Sequence, residues 1–291
     1  IRNKEEVYLL RDALLNFDFI RYSLISGLLI GFIAPLIGAF IVVRRLSLIA
    51  DALSHVTLGG ISFGMFLLTI IPVFSVINPM WFGILFAVIG ALLIEKLRTS
   101  FSNYQEIAIP IIMSAGIALS AIFISLADGF NQEIVGLLFG SISAVNISDL
   151  TTIIIITIIV LIFIVLFYKE LFILSFDEEY SKVIGIPKWI QFLFIVIVAM
   201  VISASMRVVG ILLVSALITL PIAISMRITK GFKQLIALSV ILGELSVILG
   251  LIIAFYMNIS PGGVIVVLLV LMLILTMIIQ KLKIKFKKGV V

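Results

Sequence analysis

The chain has 291 residues, of which 63% are hydrophobic and 12% are charged. A soluble domain does not carry this much apolar sequence, so the composition predicts a polytopic membrane protein. The chain has no cysteine, which excludes disulfides, thiolate metal ligands and thiol nucleophiles. Its net charge of +5 does not indicate a nucleic-acid partner, because the basic residues follow the ends of the apolar runs.

The apolar runs predict an all-α membrane domain over residues 19–281. A bilayer-spanning helix takes about 20 residues, and on that basis the runs lie near 20–43, 47–71, 80–95, 108–127, 147–168, 190–206, 208–227, 234–257 and 262–280. A count of eight is also open, because only a tight turn around Arg207 separates the sixth and seventh runs. We expect an amphipathic lead-in at 1–18, a basic tail at 282–291, and an Arg207 side chain that reaches the membrane surface.

Most of the 20 basic residues fall on one side of the membrane if the carboxyl terminus is cytoplasmic. The positive-inside rule therefore predicts an external amino terminus and a cytoplasmic carboxyl terminus. The lysines after residue 280 are typical of a stop-transfer flank that is attracted to anionic lipid.

Asp51 and His55 in the second span form the strongest candidate site. His55 is the only histidine, and a spacing of four residues puts both side chains on one face of a helix. An ionisable group within a span costs about 2.5–3.5 kcal/mol on insertion scales, so it normally faces a cavity or pathway. Imidazole with carboxylate suits first-row divalent metal ions, and two copies of the chain would supply four ligands. The alternative is a structural pair in which the two side chains hydrogen-bond each other.

Two further features lie inside or between the spans. The apolar stretch 134–140 is too short to cross the membrane, and it predicts a half helix that acts either as a gate or as an interfacial structural element. Glu244 falls near the centre of the eighth span. It is either a protonated structural carboxyl, a packing partner of a serine, or a group on the metal path.

Residues 175–189 form the one substantial polar segment predicted on the cytoplasmic side. Ser175 is expected to cap a short helix with an acidic first turn, which ends at Gly185. Such a helix suits docking to a cytoplasmic partner, and a solvated connector is the alternative. The residues that we assign to coupling are Asp177, Glu178, Glu179, Gly185 and Pro187.

Four elements between residues 20 and 280 together resemble the permease family of bacterial zinc and manganese ABC importers. They are Arg44-Arg45-x5-Asp51-Ala52-Leu53-Ser54-His55, Phe176-Asp177-x7-Gly185-Ile186-Pro187, Gly210-Ile211-Leu212-Leu213-Val214-Ser215-Ala216-Leu217-x3-Pro221 and Ser260-Pro261-Gly262-Gly263. The resemblance implies a fold related to that of the cobalamin and iron-siderophore permeases. It also implies a homodimer in the bacterial cytoplasmic membrane that receives metal from an extracellular lipoprotein and is driven by two cytoplasmic ATP-binding subunits.

The same resemblance implies that Asp51 and His55 lie on the metal path and that residues 177–187 form the coupling helix. No permanently bound cofactor is expected, only a transported Zn²⁺ or Mn²⁺. The sequences around Asp51 and at Gly243-Glu244 resemble the zinc-importing branch of the family. The Irving–Williams order also favours zinc, and manganese or iron stays open.

Other classes of function fit the sequence less well. The phosphate-binding motif Gly-x4-Gly-Lys-Ser/Thr is absent, so ATP hydrolysis is assigned to a separate subunit. A single histidine without His-Glu-x-x-His excludes a metalloprotease of that type, and we predict no enzyme activity. The alternatives that stay open are an importer of organic iron or cobalamin, and a proton-coupled secondary transporter in which Glu244 carries the proton.

Overall fold

The computed structural model describes residues 16–71, 78–101, 104–127 and 132–288, and all regular structure in these ranges is helical. The predicted lead-in at 1–18 lies almost entirely outside them. The α-helices are α1 (Asp18–Val43), α2 (Leu48–Ile70), α3 (Met80–Ser100), α4 (Ala108–Leu126), α5 (Gln132–Phe139), α6 (Ile147–Leu166), α7 (Tyr168–Phe176), α8 (Glu178–Ile184), α9 (Lys188–Val209), α10 (Ile211–Ile228), α11 (Phe232–Met257) and α12 (Pro261–Lys288). A 3₁₀ turn precedes α4, and another follows α5.

Within the described ranges, nine helices are long and apolar enough to cross a membrane, namely all except α5, α7 and α8. This confirms the higher of the two predicted counts. The break between the sixth and seventh spans was wrongly placed at Arg207, because α9 continues to Val209 and Gly210 alone separates it from α10. The predicted tail is also helical as far as Lys288, since α12 runs on through it.

Successive spans run in alternating directions and therefore share two ends. We call the end that holds Arg44, α7, α8 and Arg227 the basic end. The other end holds Asn78, α5 and Arg207, and we call it the opposite end. The positive-inside rule predicts that the basic end is cytoplasmic.

Small residues let α1 pack closely at the centre of the bundle. A Cβ on Gly27 would lie 3.1 Å from the Val247 side chain of α11, and one on Gly31 would meet the same residue. Further along, Gly38 faces the carbonyl group of Ile218 on α10. Close backbone approach of this kind is the usual source of helix association in membranes.

Three chain crossings at the opposite end hold the short helix α5 in place. Gly140 and Gly210 both have positive φ, +79° and +88°, and a Cβ added to either glycine would overlap the backbone of the segment that contains the other. The Ser141 amide donates to the Arg207 carbonyl oxygen at 3.1 Å, and the Ser260 hydroxyl donates to the Phe139 carbonyl oxygen at 2.9 Å. The predicted half helix is present, and these contacts favour its structural interpretation.

Arg207 lies in the last turn of α9 and is held there by an ion pair that the sequence did not predict. Its side chain is only 15% exposed, and its guanidinium lies 3.1 Å from a carboxylate oxygen of Asp149, which is fully buried. The same carboxylate accepts from the Asn146 amide at 3.1 Å in a capping box that begins α6. A fixed, hydrogen-bonded partner outweighs hydration here, because Asp149 would otherwise be a buried charge without compensation.

Replacing Gly210 with alanine should destabilise the fold. Its backbone conformation, with φ 88° and ψ 149°, strains a residue that carries a Cβ by about 1–3 kcal/mol. The added Cβ would also lie 2.6 Å from the Leu138 carbonyl oxygen. The free energy of unfolding in detergent micelles measures the effect. Gly136→Ala on α5, where a Cβ would make only an ordinary 3.6 Å contact, should change it little, and equal values for the two variants would contradict the prediction.

Asp149→Asn should cost about 3 kcal/mol of folding free energy, because it leaves the Arg207 guanidinium without its charged partner. The double variant Asp149→Asn/Arg207→Gln should recover part of that loss. Asp18→Asn is the matched control, since its ion pair with Arg21 is exposed and should be worth less than about 1 kcal/mol. The measurement is again the free energy of unfolding, and equal losses for the Asp149 and Asp18 variants would refute the prediction.

Candidate metal site and coupling segment

Asp51 and His55 lie near the basic end of α2. α1 ends in a turn in which Arg45 has φ 59°, and the Leu46 amide donates to the Ile41 carbonyl oxygen at 3.0 Å. α2 begins at Leu48 with Asp51 in its first turn. At 1.5 Å per residue, Asp51 and His55 lie about 5 and 10 Å along the axis from that start.

The backbone of α2 is held on several sides by small residues. A Cβ on Gly116 of α4 would lie 2.7 Å from the Val56 nitrogen, and the Ser120 hydroxyl of α4 lies 3.1 Å from the His55 carbonyl oxygen as a donor. The hydroxyls of Thr57 and Ser203 on α9 are 3.3 Å apart. These contacts fix the direction in which the side chains on the remaining face of α2 point.

The side chains of Asp51 and His55 are both partly exposed. Within the described residues, neither side chain makes a hydrogen bond or an ion pair. The structural alternative, in which the two side chains hydrogen-bond each other, therefore has no support. A carboxylate and an imidazole one turn apart are left available for a ligand from outside the chain.

One chain does not supply a complete metal site in the part that the structure describes. No group of three or more histidine, aspartate or glutamate side chains comes together there. Among the described residues, Glu244 does not form a metal-binding group with Asp51 and His55. It lies on α11 beside Gly243, where a Cβ would be 2.6 Å from the Gly31 carbonyl oxygen of α1. Its role on a metal path stays a prediction.

The pattern Gly-x-Ser-x-Gly occurs once, from Gly60 to Gly64. In serine hydrolases this pattern puts the serine on a sharp strand-to-helix turn. Here Ser62 lies inside the continuous helix α2 and is 1% exposed. This arrangement excludes a nucleophilic role of the serine-hydrolase type for Ser62.

The segment that the sequence assigns to coupling forms the predicted short helix, but its amino-terminal cap was wrongly assigned. Ser175 lies inside α7, and its hydroxyl donates to the Leu171 carbonyl oxygen at 2.7 Å. The cap is Asp177, which has an extended backbone and accepts from the Tyr180 amide at 2.8 Å. Gly185 ends α8 with φ 82°, as expected, and Pro187 is the residue before α9.

The Glu178 side chain lies on the side of α8 that faces the bundle, although 38% of it is exposed. Its carboxylate lies 3.8 Å from the Arg44 guanidinium and 4.0 Å from that of Arg98 on α3. The Arg44 side chain is 3% exposed. Burial lowers the pKa of Arg44 from its ordinary value, and the Glu178 carboxylate opposes that shift.

The outer face of α8 is exposed and partly apolar. Val183 is 82% exposed, and Tyr180 and Ile184 on the same helix are also exposed. Glu179 is exposed between them. An exposed apolar patch of this kind is available for contact with another protein.

Residues on α3 and α9 that lie behind α8 were not predicted from the sequence. Glu95 and Arg98 form an ion pair at 3.3 Å on α3, and the Gln191 amide of α9 donates to Glu95 at 2.7 Å. The spacing of Glu95 and Arg98 by three residues is a local signal for such a pair. Their neighbour Glu178 is far away in sequence and has no comparable signal.

The chain is similar to known membrane transport proteins. The profile described as the ABC 3 transport family matches residues 16–280. A protein of Treponema pallidum (strain Nichols), named as a probable metal transport system membrane protein, is 32% identical over 91% of this chain and 98% of its own. The manganese transport system membrane protein MntC of Listeria monocytogenes is 30% identical over 88% of each chain.

Solved structures agree with the predicted fold class. PsaBC from Streptococcus pneumoniae, in complex with Fab, superposes with a TM-score of 0.80 at 29% identity over 93% of this chain and 95% of that chain. A structure described as an inward-facing metal-chelate type ABC transporter gives a TM-score of 0.61 at 17% identity, and it supports the fold alone. With its nine candidate spans and the family match over nearly its whole length, the chain belongs to the ABC 3 transport family of membrane permeases.

Proposed function

We propose that this chain is the permease of an ATP-driven importer that carries a divalent metal ion into the cell, and that Asp51 and His55 bind that ion. The observation that carries the proposal is the pair itself. A carboxylate and an imidazole lie one turn apart at the start of a packed span, without a partner in the described part of their own chain. Such a pair is costly in a membrane unless it has a ligand.

The proposed partners follow from the surfaces of the chain. The exposed apolar face of α8 at the basic end fits docking to a cytoplasmic ATP-binding subunit. A second copy of the permease would bring two more ligands to the incomplete site, and an extracellular metal-binding lipoprotein would deliver the ion at the opposite end. This arrangement requires the carboxyl terminus to be cytoplasmic, as the basic residues predict.

The proposed mechanism is alternating access. ATP binding would draw the two ATP-binding subunits together, the α8 helices would follow, and the two copies of α2 would change the side to which Asp51 and His55 open. Two ligands per copy suit transport, because the ion must also be released, whereas a closed four-ligand site in one chain suits a structural metal.

Two metals fit the ligands, and the supporting observations point in different directions. Several curated relatives are named for manganese, in Listeria and in Streptococcus gordonii among others. Carboxylate ligands also suit manganese, while the Irving–Williams order favours zinc at any mixed site. We propose manganese as the principal cargo, and the preference for zinc that the sequence suggested stays the second candidate.

Asp51→Ala and His55→Ala should each abolish uptake of radioactive manganese by cells that carry the complete transporter. Each change removes half of the ligands that one copy contributes. Uptake is compared at equal membrane expression and with ATP-binding subunits still bound. Leu48→Ala, at an exposed position on the same helix, is the matched control and should keep wild-type uptake. Normal uptake in both site variants would make the pair structural.

His55→Asp should separate the two metals. It exchanges an imidazole for a harder oxygen donor, which manganese tolerates better than zinc. We expect zinc to compete less well with manganese uptake in this variant than in the wild type. The concentration of zinc that halves manganese uptake measures the change, and an unchanged concentration would argue against His55 as a ligand.

A further inference from the structure

We propose that Glu178 is a positioning residue that links the coupling helix α8 to the turn between α1 and α2 through Arg44. Movement of α8 would then reach the start of the helix that carries Asp51 and His55. This inference rests on the proposed function, and it adds the route by which the ATP-binding subunits act on the metal site.

The position of Arg44 supports such a link. Arg44 is the first residue after α1, and α2 begins four residues later. Its side chain is almost fully buried, yet its Nη2 atom has no hydrogen-bond partner within the described residues. Because Arg44 belongs to the turn that precedes α2, a displacement of its guanidinium would act on that turn.

The Arg44 and Glu178 side chains are close enough to attract each other electrostatically but too far apart to form a hydrogen bond. The Arg44 Nη2 atom and the Glu178 Oε2 atom are 3.8 Å apart. A charge-assisted hydrogen bond between these groups is about 2.8 Å long. A shift of α8 by about 1 Å toward Arg44 would therefore form a strong bond that is absent in this conformation.

Arg98 competes for the same carboxylate but is already satisfied. It lies 4.0 Å from Glu178, and it also donates to Glu95 at 3.3 Å and to Gln105 at 3.2 Å. Arg98 is thus anchored on α3, whereas Glu178 is the only carboxylate within 4 Å of Arg44 among the described residues, and Glu95 acts on Arg44 from farther away. Closure of the link would pull on Arg44 rather than on Arg98.

The helix before α8 provides a firm base for this movement. The Phe172 and Phe176 rings of α7 lie 5.3 and 5.5 Å from the Phe232 ring of α11, and Phe232 also packs on Phe40 of α1 at 5.2 Å. α8 makes its main helix contact with α7. The short helix can therefore rotate on this aromatic base, with Glu178 as its charged contact to the spans.

The test compares Glu178→Gln, Arg44→Met and their double variant in the complete transporter. We measure manganese or zinc uptake per ATP hydrolysed, and amide hydrogen exchange of residues 178–184 in the purified full-length permease. Each single variant should lower uptake per ATP about five-fold or more while ATP hydrolysis and assembly persist. The double variant should be no worse than the singles, because both changes break one link. Arg44→Lys, which keeps the charge, should retain most of the coupling.

Glu170→Gln on α7 is the matched control, since Glu170 makes no ion pair within the described residues. It should leave both readouts at wild-type values. Wild-type uptake per ATP in Glu178→Gln, or additive losses in the double variant, would overturn the link. If the wild-type complex carries neither metal, the proposed function fails. Amide exchange then decides alone: faster exchange of α8 in Glu178→Gln supports the link, and unchanged exchange overturns it.

Discussion

The close packing of small residues around α2 is the constraint on which the rest of the structure depends. Gly116 and Ser120 of α4 contact the backbone beside His55, and Ser203 of α9 meets Thr57. Because these faces of α2 are occupied by neighbouring backbone and hydroxyl groups, Asp51 and His55 are left on the face that no ion pair covers within the described chain. The costly pair is thus held ready for a ligand rather than neutralised by the fold.

The two ends of the bundle handle their buried charges differently. At the opposite end, Asp149 and Arg207 are in direct hydrogen-bond contact beside three glycine-lined chain crossings, an arrangement with little room for movement. At the basic end, Glu178 lies between two guanidinium groups at 3.8 and 4.0 Å, and the helix that carries it has an exposed outer face. Movement imposed on this permease would therefore enter at the basic end, close to the start of α2 and the metal ligands that we propose there.

Sequence reasoning succeeded where the signal is local. Span length and the four-residue spacing of Asp51 and His55 follow from the helix alone, and so does the glycine that ends α8. It failed where a partner is distant: Arg207 finds Asp149 58 residues away, and no local pattern shows it. The cap of α8 was missed by two positions because Ser175 and Asp177 are both good cap residues, and only the packing of α7 decides between them. The inward direction of Glu178 depends on Arg44 and Arg98, which tertiary structure alone brings together.

The most direct test of the central claim is the position of the metal itself. We would determine the structure of the complete transporter with bound Mn²⁺ and locate the ion by anomalous scattering at the manganese edge. The account predicts a manganese peak within ligand distance of the Asp51 carboxylate and the His55 imidazole. A peak on the permease that contacts neither residue, for example beside Glu244, would contradict it.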